Sequence, residues 1–160
     1  MGKNSLGRVA LMSIRPEFAD AILSGEKVVE FRKRPVADDV THVLIYATMP
    51  IGSLLGWFAI RGQKTMSPQA LWSAFRTVGG ISRSGFFEYF DQREHGTGIL
   101  VDRAARFAEP VPLTELGVSL RAPQSFQYLT APQADTFFQM LRAQSSAELD
   151  SDLYPLSRAG

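Results

Sequence analysis

The sequence contains no cysteine, which excludes disulfides, thiolate catalysis and cysteine-ligated zinc. It has only two histidines, His42 and His95, where structural zinc wants about four ligands. Both are expected at the surface beside strand ends, and no metal site is expected. No apolar run approaches the roughly 20 residues of a membrane span, and the N-terminus lacks the apolar core of a signal peptide. The expectation is therefore a cytoplasmic protein with no membrane partner. No glycine-rich dinucleotide loop and no P-loop occurs, so no cofactor is expected. An excess of one charge is missing too: 17 Lys and Arg against 16 Asp and Glu leave a net +1. The surface as a whole is not a polyanion binder, and any affinity for nucleic acid has to come from a local cluster.

What is present is an ordinary globular composition, 45% hydrophobic and 21% charged over 160 residues, enough for one domain with a real core. Residues 1–8 read as a flexible lead-in, 9–143 as a single domain, and 144–160, polar and small, as a disordered tail. Strands are expected near 9–14, 27–33, 43–48, 54–61 and 97–102, with a further one near Phe107, and helices near 16–24, 68–75, 83–90 and 132–142. Val43 to Ala47 is a continuous apolar run, suited to a strand buried on both faces. Gly56 inside the next strand predicts a bulge or bend. Pro110 and Pro112 predict a rigid turn. The order β-α-β-β-β, a helical insert, then more β predicts an α+β fold, a compact mixed barrel with flanking helices, and not alternating βαβ units.

Ser13 to Arg34 is the densest stretch. Pro16 suits a first helical turn, Phe18, Ala19, Ile22 and Leu23 share a helical face, and Gly25 supplies the stop. In the strand that follows, alternation puts Val29 and Phe31 on one side and Glu30, Arg32 and Arg34 on the other. Lys27 has the parity of the apolar side and reaches the Glu30 face only through twist or a bulge. One reading is a cleft in which Arg32 binds phosphate bidentately, Lys27 acts as a movable charge and Glu30 accepts hydrogen bonds. The other is a solvated strand face carrying ion pairs of small worth.

With Pro16, Ala19, Leu23, Gly25, Lys27, Glu30 and Arg32 in register, this stretch resembles the signature of the ASCH domain family, small β-barrels of the PUA-like superfamily. Arg15 stands where many members have Gln, and Phe18 follows Glu17 where a Trp is expected next to the proline. The segments Gly80 to Ser82, Phe86 to Phe90 and Pro123 to Phe126 resemble a prokaryotic subgroup. The resemblance implies a PUA-like barrel that holds RNA or a nucleotide-like ligand in the cleft of Lys27, Glu30 and Arg32, with unstacked bases preferred over duplex DNA.

It also implies two hydrolytic alternatives. Some small ASCH proteins hydrolyse the amide of N4-acetylcytidine with Lys, Thr and Glu. Here Lys27 matches the Lys but Glu30 stands at the Thr position, so the nucleophilic hydroxyl is missing. Glu30 would then activate water, with Lys27 stabilising the oxyanion. Ribonuclease activity is the other alternative, with Lys27 and Glu30 again the catalytic candidates.

Arg15 and Ser13, at the end of the first strand, are further ligand-binding candidates, as are Gln124 and Ser125. Phe126 reads as core. The insert 67–91 resembles a helix-turn-helix, which would make a DNA-binding regulator, but its second helix offers only Arg83 as a base. Phe86, Phe87, Tyr89 and Phe90 read as packing, and the insert as a flap on the barrel. Lys27→Ala and Arg32→Ala are expected to weaken binding with little change in melting temperature. Lys33→Ala, on the apolar parity near the strand end, is expected to leave binding intact.

Overall fold

The computed structural model describes residues 7–117 and 120–153. Six strands and four helices follow in the order β1 (Arg8–Ile14), α1 (Pro16–Ser24), β2 (Val29–Arg32), β3 (Val40–Ala47), β4 (Ser53–Met66), α2 (Pro68–Phe75), α3 (Arg83–Tyr89), β5 (Gly96–Val111), β6 (Phe126–Tyr128) and α4 (Ala131–Leu153), with a 3₁₀ turn over Leu113–Leu116 before β6. They build one mixed sheet in the order β2-β5-β4-β3-β1-β6. Only β1 and β3 run parallel. They are joined through α1 and β2, a crossover long enough to reverse the chain twice.

The sheet buries side chains on both faces, as the unbroken apolar run in β3 predicts. Ala10, Met12, Ile14, Val43, Ile45 and Phe58 fill the concave side under α1. Val9, Leu11, Leu44 and Leu54 pack the other side with Phe137 and Phe138 of α4. The even–odd sorting along residues 9–14 of β1 and 43–47 of β3 assigns the buried apolar residues to one core or the other.

Curling such a sheet needs local over-twist, and the register shifts supply it. One lies opposite Ile45 and Tyr46 and another between Leu54 and Gly56. At Gly56 a Cβ would collide with the Ala105 carbonyl and lie 2.7 Å from Leu23. The glycine is therefore what allows β4, β5 and α1 to close on one another at the bend.

The insert packs as a flap. Leu71 of α2, Phe86 of α3 and Phe90 just after it cover Val29 and Phe31 of β2, forming a third apolar cluster. Ser67 and Ser82 cap the two short helices through their hydroxyls. α3 packs its apolar side on β2, and its outward face carries Arg83, Ser84, Glu88 and Tyr89.

Several boundaries differ from the sequence reading. β2 begins at Val29 and not at Lys27, because the Lys27 and Val28 amides bond to Ala21 and Val78 instead of a strand. β5 is a single strand through Phe107 and Pro110, since the start of β4 pairs with that end, Gly56 opposite Arg106 and Leu54 opposite Val111. Pro110 sits inside β5, and Pro112 caps the 3₁₀ turn. α4 runs to Leu153, past Gln144, where the sequence reading starts its disordered tail. Residues 1–6 and 154–160, the outer parts of the lead-in and tail, lie outside the described residues. His95 is exposed, whereas His42 is half-buried within β3. Its ring lies among Trp57, Phe137 and Phe138, with centroids 5.3–6.0 Å away. Burial lowers its pKa, with the Arg103 charge acting the same way. Among the described residues no helix is long and apolar enough to cross a membrane.

Candidate functional site at the seam of the sheet

The charged strand lies at the seam where the curled sheet meets itself. β2 is one edge of the sheet and β6, beyond β1, is the other. Arg32 spans the gap: its Nη2 donates to the backbone carbonyl of Ser13 in β1 at 2.7 Å, and its Nη1 donates to the Ser125 hydroxyl, just before β6, at 3.3 Å. On the far side of the seam, the Ser13 hydroxyl donates to the Pro123 carbonyl at 2.6 Å, and the Ser13 amide donates to the Ser125 carbonyl at 2.9 Å. One side chain thus fastens two strands separated by most of the sheet.

Glu30 shares the face of Arg32, as alternation requires. Its Oε1 accepts from the Phe31 amide at 3.1 Å, and its Oε2 stands 3.9 Å from Arg32 Nη2. Both residues are buried, at 5% and 8% exposure, so the solvated strand face is not what the fold builds. Glu30 Oε2 and Arg32 Nε are buried without a hydrogen-bond partner. Desolvated polar atoms left unpaired cost roughly 1–3 kcal/mol each, more for charged groups. The seam therefore carries unused bonding capacity of both signs.

Lys27 keeps the parity of the apolar side. Its ammonium donates to the Gly79 carbonyl and lies over the rings of Phe31 and Phe18, 4.9 and 5.2 Å from their centroids. The neighbouring Gly80, at φ +61°, leaves room for the lysine stem: a Cβ there would lie 3.0 Å from the Lys27 Cβ. Lys27 is 2% exposed. It ties the α2–α3 linker to β2 from behind the strand, within electrostatic range of Glu30 and Arg32 but with no direct bond to either.

Burial lowers the Lys27 pKa from its ordinary 10.5; Glu30 opposes that shift and Arg32 adds to it. A lowered folded-state value means that the unfolded chain holds more protons in the interval below 10.5. Stability should therefore rise with pH from the folded-state value up to about 10.5 and then level off. The difference in unfolding free energy between wild type and Lys27→Met, measured by urea titration from neutral pH upward, is expected to show that slope. A pH-independent difference would overturn it.

Arg15 and Gln124 are not drawn into this network. Arg15 is exposed ahead of α1, where its carbonyl accepts from the Phe18 and Ala19 amides. Among the described residues neither its side chain nor that of Gln124, also exposed, makes a hydrogen bond or ion pair. Phe126 packs against the concave core.

Tyr89 is the residue that pattern reading missed. Its neighbours Phe86 and Phe90 are buried, but Tyr89 is 36% exposed at the end of α3. Burial raises its hydroxyl pKa from 10.0; Arg32 pulls it down, Glu30 up, and the Lys33 backbone and Arg93 down. Its ring stands beside Lys33, the residue that follows Arg32, which puts it next to the end of β2 and the mouth of the seam. Lys33 is there too, with Nζ 5.1 Å from the Tyr89 ring centroid. β2 has ended at Arg32, so strand parity no longer governs Lys33, and Arg93 holds its carbonyl at 3.0 Å. A polar residue within an aromatic quartet (Tyr89 among Phe86, Phe87 and Phe90) was the only signal available in the sequence.

Two surface clefts lie elsewhere. One of about 270 Å³ runs between the end of α1 and Val101 to Ala104 of β5, touching Lys27 but neither Glu30 nor Arg32. The other, about 380 Å³, lies between the end of β5 and α4 and is lined by Glu109, Val111, Glu115 and Met140.

A mixed sheet curled until its edges meet, flanked by helices and carrying a charged strand at the closure, defines a small barrel of the PUA-like class. The chain belongs to the ASCH domain family, whose match covers residues 12–95. It is 33% identical over 124 residues to an ASCH domain-containing ribonuclease from Zymomonas mobilis, spanning 75% of this chain and 83% of that protein. The crystal structure of ASCH from Zymomonas mobilis superposes with a TM-score of 0.74 at 29% identity, covering 82% of this chain and 94% of the other. A serine-to-alanine variant of the same protein gives 0.76 at 29% identity, covering 82% and 95%.

Proposed function

We propose that this protein binds RNA at the seam between β2 and β1–β6, with Arg32 and Glu30 as the groups that hold it. The observation that carries this reading is the pair of unpartnered buried atoms, Glu30 Oε2 and Arg32 Nε. A folded protein rarely leaves an anionic acceptor and a cationic donor buried without a hydrogen bond, their residues joined only by a 3.9 Å ion-pair contact, unless a ligand uses them. The Ser125 hydroxyl, exposed and 3.3 Å from Arg32 Nη1, is the weakest of the arginine's contacts. A phosphate oxygen that replaces it gains a charge-assisted bond in place of a neutral one. Glu30 Oε2 then accepts from a base amide or a ribose hydroxyl, the group that separates RNA from DNA. With a net charge of +1, binding rests on this local site, so affinity for duplex DNA is expected to be weak and lost quickly with salt.

A second reading, cleavage of the bound RNA, is favoured by the similarity to the Zymomonas mobilis ribonuclease. In this chain the base is Glu30. It takes the proton of a ribose 2′-hydroxyl as the 2′-oxygen attacks the adjoining phosphorus. The bond from phosphorus to the 5′-oxygen breaks, and that oxygen leaves with a proton from water. Arg32 stabilises the charge that develops on the phosphoryl oxygens. Lys27, behind the strand, acts as a positioning residue for β2.

The two readings separate in one variant. Glu30→Gln keeps the shape of the side chain and a hydrogen-bonding group but removes the base. Cleavage is expected to fall at least a hundredfold, the lower range for a general base, while RNA affinity changes by less than about tenfold. Gel analysis of a labelled RNA, alongside anisotropy titration, checks both. Wild type that binds RNA without producing fragments leaves a binding module; wild type that does not bind RNA overturns the proposal.

A further inference from the structure

We propose that Tyr89 and Lys33 form a base-stacking and phosphate subsite at the mouth of the Glu30–Arg32 seam, which selects RNA with an unpaired nucleotide. This deepens the RNA-binding reading above and rests on it.

The placement of Tyr89 is hard to explain by packing. α3 buries Phe86 and Phe90 against Phe31, and that apolar contact is complete without the tyrosine. Tyr89 makes an edge contact with Phe90, with centroids 4.8 Å apart, which fixes one edge of its ring. An ammonium, Lys33 Nζ, occupies its face. The ring is thus a partly exposed platform, 36% open and held at a set angle under a movable lysine head, and such a platform is what an unstacked base uses.

Lys33 is the second observation. Among the described residues neither Lys33 nor Arg93 has a carboxylate within ion-pair distance. Arg93 holds the Lys33 carbonyl, so two cations are gathered at one bend beside Arg32 without a matching acid. A nucleobase arriving on Tyr89 takes the place of the lysine head, which swings on its flexible stem to the phosphate next to that base. The exchange trades a cation–π contact at an exposed position for a stack and a charge pair. A paired base cannot take part, because its faces are already covered by its neighbours in the helix.

This geometry reverses the expectation for Lys33→Ala. The strand ends before Lys33, so its side chain serves the cleft mouth and not the apolar face.

The test uses a labelled single-stranded RNA, the same RNA with one abasic nucleotide at each position in turn, and a duplex of the same sequence. Tyr89→Leu fills similar space against Phe90 but offers no π face; Tyr89→Phe keeps the ring. Tyr89→Leu is expected to weaken single-strand binding between about fivefold and a hundredfold, the range of base–aromatic stacks. Tyr89→Phe should bind within about twofold of wild type. One abasic position should weaken wild type by the same factor as Tyr89→Leu, and should leave Tyr89→Leu unaffected. Lys33→Ala should reduce the slope of log affinity against log salt by about one. If wild type binds the RNA and Tyr89→Leu binds it equally well, the subsite is wrong and the RNA-binding reading stands. Duplex bound as tightly as single strand also overturns the subsite. If wild type binds no RNA, both fall.

Discussion

Arg32→Ala is expected to destabilise the fold by about 3–5 kcal/mol, the cost of removing one partner from a buried ion pair. The substitution leaves the Ser13 carbonyl without its donor at 2.7 Å and the Glu30 carboxylate buried at 5% exposure with no counter-charge beside it. It also unfastens β2 from β1, because Arg32 carries the hydrogen bonds across that seam. For a domain of this size each kcal/mol moves the melting temperature by roughly 2–4 °C, so a drop of at least several degrees should appear in a thermal scan. This replaces the expectation of unchanged melts, which assumed that the charged face of β2 lies in water. The double variant Arg32→Met with Glu30→Leu removes both charges together and should recover much of the loss. That variant folds without its phosphate-binding group, so its RNA affinity reports on the site apart from stability. An Arg32→Ala protein that melts with wild type would show that the seam is held by other contacts.

The second large effect is expected at Lys27. Lys27→Ala removes a stem packed beside Gly80, an ammonium over the rings of Phe18 and Phe31, and a donor to the Gly79 carbonyl. Emptying a fully buried long side chain costs on the order of 2–5 kcal/mol. Lys27→Met fills most of the same space without an ammonium to desolvate, so it should lie within about 1.5 kcal/mol of wild type, as volume-conserving exchanges do. Chemical denaturation of the two variants separates packing from charge. If Lys27→Met is as damaged as Lys27→Ala, the bond to Gly79 dominates and the stem contributes little. RNA affinity of Lys27→Met should stay close to wild type, since the ammonium is held by the Gly79 carbonyl and the Phe18 and Phe31 rings and makes no hydrogen bond to Glu30 or Arg32; a loss as large as that of the Arg32→Met, Glu30→Leu double variant would return Lys27 to the binding surface.

The fate of the notable residues shows which parts of the molecule the sequence could carry. The helix after Pro16 is local: a proline start, an apolar face and a glycine stop lie within ten residues, so α1 forms where pattern reading places it. The alternation of Val29 and Phe31 against Glu30 and Arg32 is also local, because a strand's pleat sets it whatever surrounds it. Gly56 announced its bend, since a missing Cβ marks close approach even when the approaching carbonyl is unknown. The run of glycine, lysine, glutamate and arginine pointed to the family, and the comparisons bear that out.

Coverage is another matter. Alternation states which side chains share a face, but not what lies on it, and the groups that cover β2 come from far along the chain. Ser125 is 93 residues from Arg32, and Gly79 is 52 from Lys27. No local pattern encodes such a meeting, because it depends on how far the sheet curls. The same holds for α4, whose last turns lack an apolar stripe, and for His42, enclosed by rings from β4 and α4. Tyr89 shows the converse: it and its neighbours in sequence read as core, and only the angle at which α3 meets β2 leaves its ring partly open to solvent. The sequence by itself determined the elements, their faces and the family. The tertiary structure decided that the charges of β2 are buried and cross-linked, because desolvation depends on surroundings that arrive only when distant strands close the barrel.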